Sequence, residues 1–262
     1  MGRAREHGTE WPSGATALVT GAGRRLGRAI AVELAQAGAD VVLHCNNSRS
    51  EAQALAAQLR ACGCSAWVLA ADLARPAQAA RLLARAVAAS GRRVDILVNN
   101  ASIFPRDRIT DCTAEALARN MQVNAFAPLQ IARAFAGQFA KPGRAGARPC
   151  IVNLLDSRIT DYDSEHASYH LSKRALHALT KMMALEFAPR VRANAVAPGL
   201  ILPPPGRSEH YLRRLAHTNP LRRFGSSADI AGAVLFLVRS TFITGQVIYV
   251  DGGRHLRGSL YG

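Results

Sequence analysis

Short apolar runs rich in β-branched residues alternate with longer Ala/Leu-rich stretches along almost the whole chain, and no other feature constrains its fold as strongly. "ATALVT" reads as a strand, "LGRAIAVELAQAG" as a helix closed by Gly38, "ADVVLH" as a strand and "SEAQALAAQLRAC" as a helix. "SAWVLAAD" is the third strand, followed by "PAQAARLLARAVAAS", a helix with proline in its first turn. "VDILVNN", "PCIVNLLD" and "VRANAVAP" are further strands, separated by long helices over about Thr113–Phe139 and Ser164–Phe187. A last helix near Ala228–Val238 precedes the strand "GQVIYV". Strands that are apolar on both faces and alternate with helices predict an α/β fold: a doubly wound parallel sheet with helices on both faces.

The 262 residues suffice for one such domain, expected over residues 15–262 behind a disordered tail, residues 1–14. Two segments break the alternation: the Gly/Pro-rich loop Lys141–Pro149, and Leu200–Leu221 with three consecutive prolines. The second follows the C-terminal end of a strand, where open α/β sheets bind ligands, and is expected to form a lid over substrate at about residues 200–221. No run of about 18 apolar residues suggests a membrane span, and the N-terminus lacks the apolar stretch of a secretory signal. Five cysteines without metal-ligand spacing suggest reduced thiols in a cytoplasmic protein and no metal site. The net charge of +15 raises nucleic-acid binding, but the arginines are scattered and no basic block interleaves with aromatics. Such a field favours a polyanionic small molecule instead.

"TGAGRRLG", Thr20–Gly27, lies between the first strand and the first helix. A glycine turn lets backbone N–H groups approach a pyrophosphate, and the helix N-terminus favours its negative charge, the pattern of a Rossmann dinucleotide site. The second strand ends in "LHCNNSRS" without the acid that binds an NAD ribose hydroxyl. With Arg24 and Arg25 available for charge-assisted hydrogen bonds to a 2′-phosphate, NADPH is the expected cofactor. Asp72 suits either an adenine amino group or a helix cap, and Asn99 suits either the cofactor channel or a bridge between strands.

With these stretches, "NNA", "VNAFAP", Tyr169-x-x-x-Lys173, the Pro-Gly after the sixth strand and "ITGQVIYVDGG", the chain resembles the short-chain dehydrogenase/reductase family from Thr16 onward. "RRLG", "NNASIF", an aspartate where that family usually has serine, and the tail "DGGRHLR" resemble its pteridine reductases, most of all bacterial dihydromonapterin reductases, which also reduce dihydrofolate. The resemblance implies that Gly21, Arg24, Arg25, Leu26, His44, Asn46, Asn47, Ser48, Asp72, Leu73, Asn100, Ala101, Ser102, Tyr169, Lys173, Pro198 and Gly199 surround NADPH. Phe104, Asp156, Tyr169 and Leu200 would meet the pterin, with Phe104 stacked on its ring. Asn47 departs from protozoan relatives, which carry a basic residue there, and shifts 2′-phosphate recognition toward Arg25 and Ser48. A homotetramer whose dimer faces are the two long helices is also implied.

Tyr169, Lys173, Asp156 and Asn124 are the expected catalytic residues. Tyr169 and Lys173 share a helix face, and a nearby ammonium is expected to lower the tyrosine pKa. Asn124 is expected to support a water chain behind the lysine, as in related enzymes. Asp156 would repel the charge developing on a ketone oxygen. For a dihydropterin, hydride goes to C6 and N5 must gain a proton, which a carboxylic acid can supply once burial raises its pKa. The expected function is therefore NADPH-dependent reduction of a dihydropterin or dihydrofolate. A carbonyl reductase acting on 3-oxoacyl or sugar substrates and a non-catalytic NADPH sensor are the alternatives.

Overall fold

In a strand, successive side chains point to opposite faces, so an apolar run feeds two cores at once. The computed structural model describes residues 11–140, 148–162, 164–204 and 206–257. Its elements in chain order are β1 (Thr16–Val19), α1 (Arg25–Gln36), β2 (Asp40–Cys45), α2 (Arg49–Ala61), β3 (Ala66–Ala70), α3 (Pro76–Ser90) and β4 (Ile96–Asn99). There follow α4 (Ala114–Met121), a π-helical turn (Gln122–Phe126), α5 (Ala127–Gly137), β5 (Cys150–Leu154), α6 (Ala167–Glu186) and β6 (Arg192–Pro198). The last three are α7 (Glu209–Leu215), α8 (Ser227–Arg239) and β7 (Val247–Val250). The sheet is parallel throughout, with order β3-β2-β1-β4-β5-β6-β7.

Ala17, Val19, Ile96 and Val98 enter the core beneath α1, α2 and α8, with Ile30, Leu34, Leu55 and Val234. Their neighbours Leu18, Leu97 and Ile151 enter the opposite core with Leu82, Ile131, Phe135 and Met183. The strand order reverses between β1 and β4, and the loops after these strands open the crevice where such sheets bind ligands.

Several boundaries differ from the sequence reading. Residues 11–14 belong to the domain rather than to a disordered tail: Pro12 is buried, Trp11 Nε1 donates to the Val238 carbonyl at 3.2 Å, and Gly14 N–H bonds Gly38. The helix expected over Thr113–Phe139 is interrupted by the π-helical turn carrying Asn124, whose side chain is drawn into contacts with Ile103 and Ser172. β3 stops before Asp72, and α6 starts at Ala167 rather than Ser164 because Asp107 forms a short parallel bridge with His166. Within the expected lid lie α7 and a 3₁₀ turn, anchored by buried Leu212 and by Leu221 N–H bonded to Gly252. Residues 1–10, residues 141–147 of the Gly/Pro-rich loop, and Pro205 lie outside the described residues.

Candidate active site

The glycine turn is fastened to the end of β4. Thr20 Oγ1 accepts N–H bonds from Asn100 and Ala101 at 2.9 and 3.0 Å, while Asn100 Nδ2 donates to the carbonyl of Thr20 at 2.8 Å. Gly21 bends the chain with φ +66°, and a Cβ on Gly27 would stand 2.2 Å from the Gly21 carbonyl oxygen, so only glycine lets α1 begin this close to the turn. No side chain caps the first turn of α1 and no acid lies in it, leaving its amides for an anion. This cradle at the topological switch fits the pyrophosphate of a dinucleotide.

The arginines of the turn diverge. Arg24 extends to the first turn of α2, where it lies 3.6 Å from Glu51; Asn46 and Asn47, both exposed, and Ser48 precede that helix. Arg25, held at φ +54°, donates instead to the Pro203 carbonyl at 2.8 Å. The sequence reading gave the 2′-phosphate to Arg24 and Arg25, with more of it left to Arg25 and Ser48; in the structure the Arg25 guanidinium reaches the segment after β6 instead. Glu51 was passed over, since it stands beyond the strand end where such acids are sought.

Other expected cofactor residues divide by burial. His44 is buried behind the turn, where its ring bonds Gly21 and Ala71. The side chain of Leu73 is buried, whereas Leu26 is partly buried against the core beneath α1. The Asp72 carboxylate accepts from Ala74 N–H at 2.9 Å and lies 3.7 Å from Arg75, a local turn rather than a helix cap. Asn99 Nδ2 donates to Asn153 at 2.8 Å and bridges β4 and β5. Ala101 and Ser102 continue the crevice from β4, and Pro198, Gly199 and Leu200 from β6.

Across the crevice, Asp156 follows β5 and Tyr169 and Lys173 rise from α6. The Tyr169 hydroxyl donates to Asp156 Oδ2 at 2.8 Å, and Asp156 Oδ1 accepts from Arg158 N–H. Lys173 Nζ donates to the Leu154 carbonyl at 2.7 Å and lies 5.7 Å from the centre of the Tyr169 ring. Burial, and then the neighbouring Asp156, push the Tyr169 pKa well above its ordinary value. Burial brings Lys173 down to about 8, with Asp156 opposing. The lysine was expected to lower the tyrosine pKa; desolvation and the carboxylate reverse that sign.

Asn124 bonds no part of Lys173. Its Oδ1 accepts from Ser102 and from Ile103 N–H, and its Nδ2 donates to Ile103 and to Ser172, which ties the loop after β4 to the helix that carries Tyr169. Phe104 is half exposed, with one face stacked on His166 at 4.0 Å and its ring edge-on to Tyr169 at 4.5 Å.

Two further residues escaped the sequence reading. Asp107 caps α6 from a distance, accepting from both the N–H and the hydroxyl of Ser168. Arg254, beyond β7, packs near the 3₁₀ turn after Asp156; burial, and then Arg158, hold its pKa below the usual arginine value. Asp107 carries no local signal, and Arg254 stands in the quoted tail "DGGRHLR" without a sign of its partners, because both act on residues remote in sequence. Among the described residues there is no group of three His, Cys, Asp or Glu side chains suited to a metal ion, and no helix long and apolar enough to cross a membrane.

A family model described as enoyl-(acyl carrier protein) reductase matches residues 21–255. The chain is 35% identical over 243 residues to an uncharacterized oxidoreductase of Mycobacterium tuberculosis, covering 90% of each. It is 31% identical to a 3-oxoacyl-[acyl-carrier-protein] reductase of Staphylococcus epidermidis, covering 92% of this chain and 99% of the relative. Among solved structures it is similar to FolM alternative dihydrofolate reductase 1 of Brucella canis, complexed with NADP. That match has a TM-score of 0.85 and 34% identity, over 93% of this chain and 95% of that one.

Proposed function

The chain belongs to the short-chain dehydrogenase/reductase family, and from that premise we propose that it is an NADPH-dependent pteridine reductase. Its substrate is a dihydropterin, such as dihydromonapterin or dihydrobiopterin, or dihydrofolate, reduced at a C=N bond. NADPH supplies the hydride. The glycine turn and the uncapped start of α1 suit its pyrophosphate, and Arg24, reaching the first turn of α2, suits its 2′-phosphate.

One observation carries the substrate reading: the 2.8 Å hydrogen bond from the Tyr169 hydroxyl to Asp156. In ketone reduction the tyrosine proton must reach the carbonyl oxygen, and a carboxylate beside that oxygen opposes the charge that builds there. In imine reduction the carbon takes hydride and the adjacent nitrogen takes a proton. Asp156, protonated from solvent and oriented by Tyr169, delivers that proton. Lys173, buried under Tyr169, keeps a positive charge near the pair at neutral pH. Phe104 offers a half-exposed ring for a flat heteroaromatic substrate. The name of the Brucella relative is consistent with this reading.

A 3-oxoacyl reductase is the second reading, favoured by the Staphylococcus relative and disfavoured by Asp156. NADPH consumption with dihydropterins, dihydrofolate and a 3-oxoacyl thioester separates the two. Turnover of the thioester with none of the pterins or dihydrofolate would overturn the pteridine reading. For the assembly we propose a homotetramer: Leu171, Met182 and Leu185 expose an apolar stripe along α6.

A further inference from the structure

The glycine turn rests on a buried imidazole. His44, one residue from the end of β2, is 1% exposed, and its ring touches two loops. The Gly21 N–H donates to Nδ1 at 3.2 Å, and Nε2 lies 3.0 Å from the Ala71 carbonyl oxygen. A backbone N–H only donates and a carbonyl only accepts. Both contacts are satisfied together in one state of the ring: neutral, with its hydrogen on Nε2. The carbonyl of His44 also takes the Ala22 N–H, at 2.8 Å. One residue thus holds two consecutive amides of the turn that begins the dinucleotide cradle, and Gly21 is where that turn first takes a positive φ.

We infer that His44 is a positioning residue for the dinucleotide site: its neutral Nε2–H tautomer holds the Gly21 amide, and with it the turn, in the shape that receives the cofactor. The ring makes no contact with the nucleotide in this account; it acts through Gly21. The other proton arrangements fail for a stated reason. A hydrogen on Nδ1 would face the Gly21 N–H, donor against donor, whether the ring were the other tautomer or the cation. The surroundings oppose the cation too: burial brings the His44 pKa down to about 4, Arg85 of α3 acts in the same direction, and only the Ala71 carbonyl opposes them.

Two variants separate the halves of this device. The Oδ1 of asparagine lies as many bonds from Cβ as Nδ1 of histidine, so His44→Asn keeps an acceptor for Gly21. The Nε2 of glutamine corresponds to the histidine Nε2, so His44→Gln keeps only the donor to Ala71. Calorimetric titration of each purified protein with NADP⁺ is expected to give His44→Asn within about threefold of the wild-type Kd and His44→Gln about tenfold weaker, the effect of leaving one buried amide unpaired. Equal weakening in both variants, or none in either, overturns the inference. The wild-type apoprotein gives a second readout that needs no variant to fold. Its ¹⁵N spectrum is expected to show an unprotonated His44 Nδ1 correlated across the hydrogen bond with the Gly21 amide, and a protonated Nδ1 would be equally fatal.

Discussion

The Tyr169 hydroxyl donates a hydrogen bond to Asp156 Oδ2 at 2.8 Å, so the residue that usually acts as the acid in such a site is itself bound to a second acid. Asp156→Ser is expected to lower kcat/KM for a dihydropterin by about 10²–10³-fold, the contribution of a positioned proton donor. The NADPH Kd should stay unchanged. Steady-state kinetics with parallel fluorescence titration checks both, and near-wild-type turnover with intact NADPH binding would remove Asp156 from the chemistry.

Arg24, not Arg25, is expected to set cofactor preference. Arg24 extends toward the strand end that would hold the 2′-phosphate, whereas Arg25 is engaged by Pro203. Arg24→Ala should reduce the NADPH/NADH ratio of kcat/KM by the loss of one charge-assisted contact, about 1.5–3 kcal/mol. Arg25→Ala should leave that ratio nearly intact and raise the substrate KM, because it releases the segment after β6. The opposite pattern would return the phosphate to Arg25.

Asp107 caps the helix that carries Tyr169 and Lys173. Asp107→Ala is expected to cost about 1 kcal/mol of stability, as for a lost N-cap, and to lower kcat while NADPH affinity holds. Asp107→Asn, which keeps an acceptor, should recover most of both. Denaturant midpoints and kcat for the two variants decide it; equal losses would mean that charge, not capping, is at issue.

Acid should destabilise the fold through His44. Its pKa is about 4 in the folded protein against an ordinary 6.5, so between these values the unfolded chain holds a proton that the folded chain refuses. The contribution is complete above about pH 6.5 and declines as pH falls toward 4, totalling about 3 kcal/mol. Urea unfolding of wild type and His44→Asn at several pH values isolates it, since other groups cancel in the difference. A pH-independent difference would contradict the assignment.

The apolar stripe of α6 predicts assembly. Light scattering over a dilution series should give four chains, and Met182→Lys with Leu185→Lys should yield a smaller species with folded circular dichroism. A wild-type monomer at micromolar concentration would refute the tetramer.

Element order, the glycine turn, and the spacing of Tyr169 and Lys173 were legible in the sequence, because each depends on periods of two or 3.6 residues or on the backbone freedom of glycine. Asp156 was legible as an oddity within a recognisable stretch. What the chain does with these residues was decided only by the folded structure. The segment after β6 meets Arg25 at Pro203, and the loop after β4 carries Asp107 to the start of α6. Burial and Asp156 raise the Tyr169 pKa that its lysine neighbour was expected to lower. His44 looked like a cofactor contact until β2 drew it beneath the turn, between Gly21 and Ala71. Local periodicity dictates which segments become strands and helices; desolvation and hydrogen-bond partners belong to pairs of residues remote in sequence, and their distances exist only once the sheet has formed.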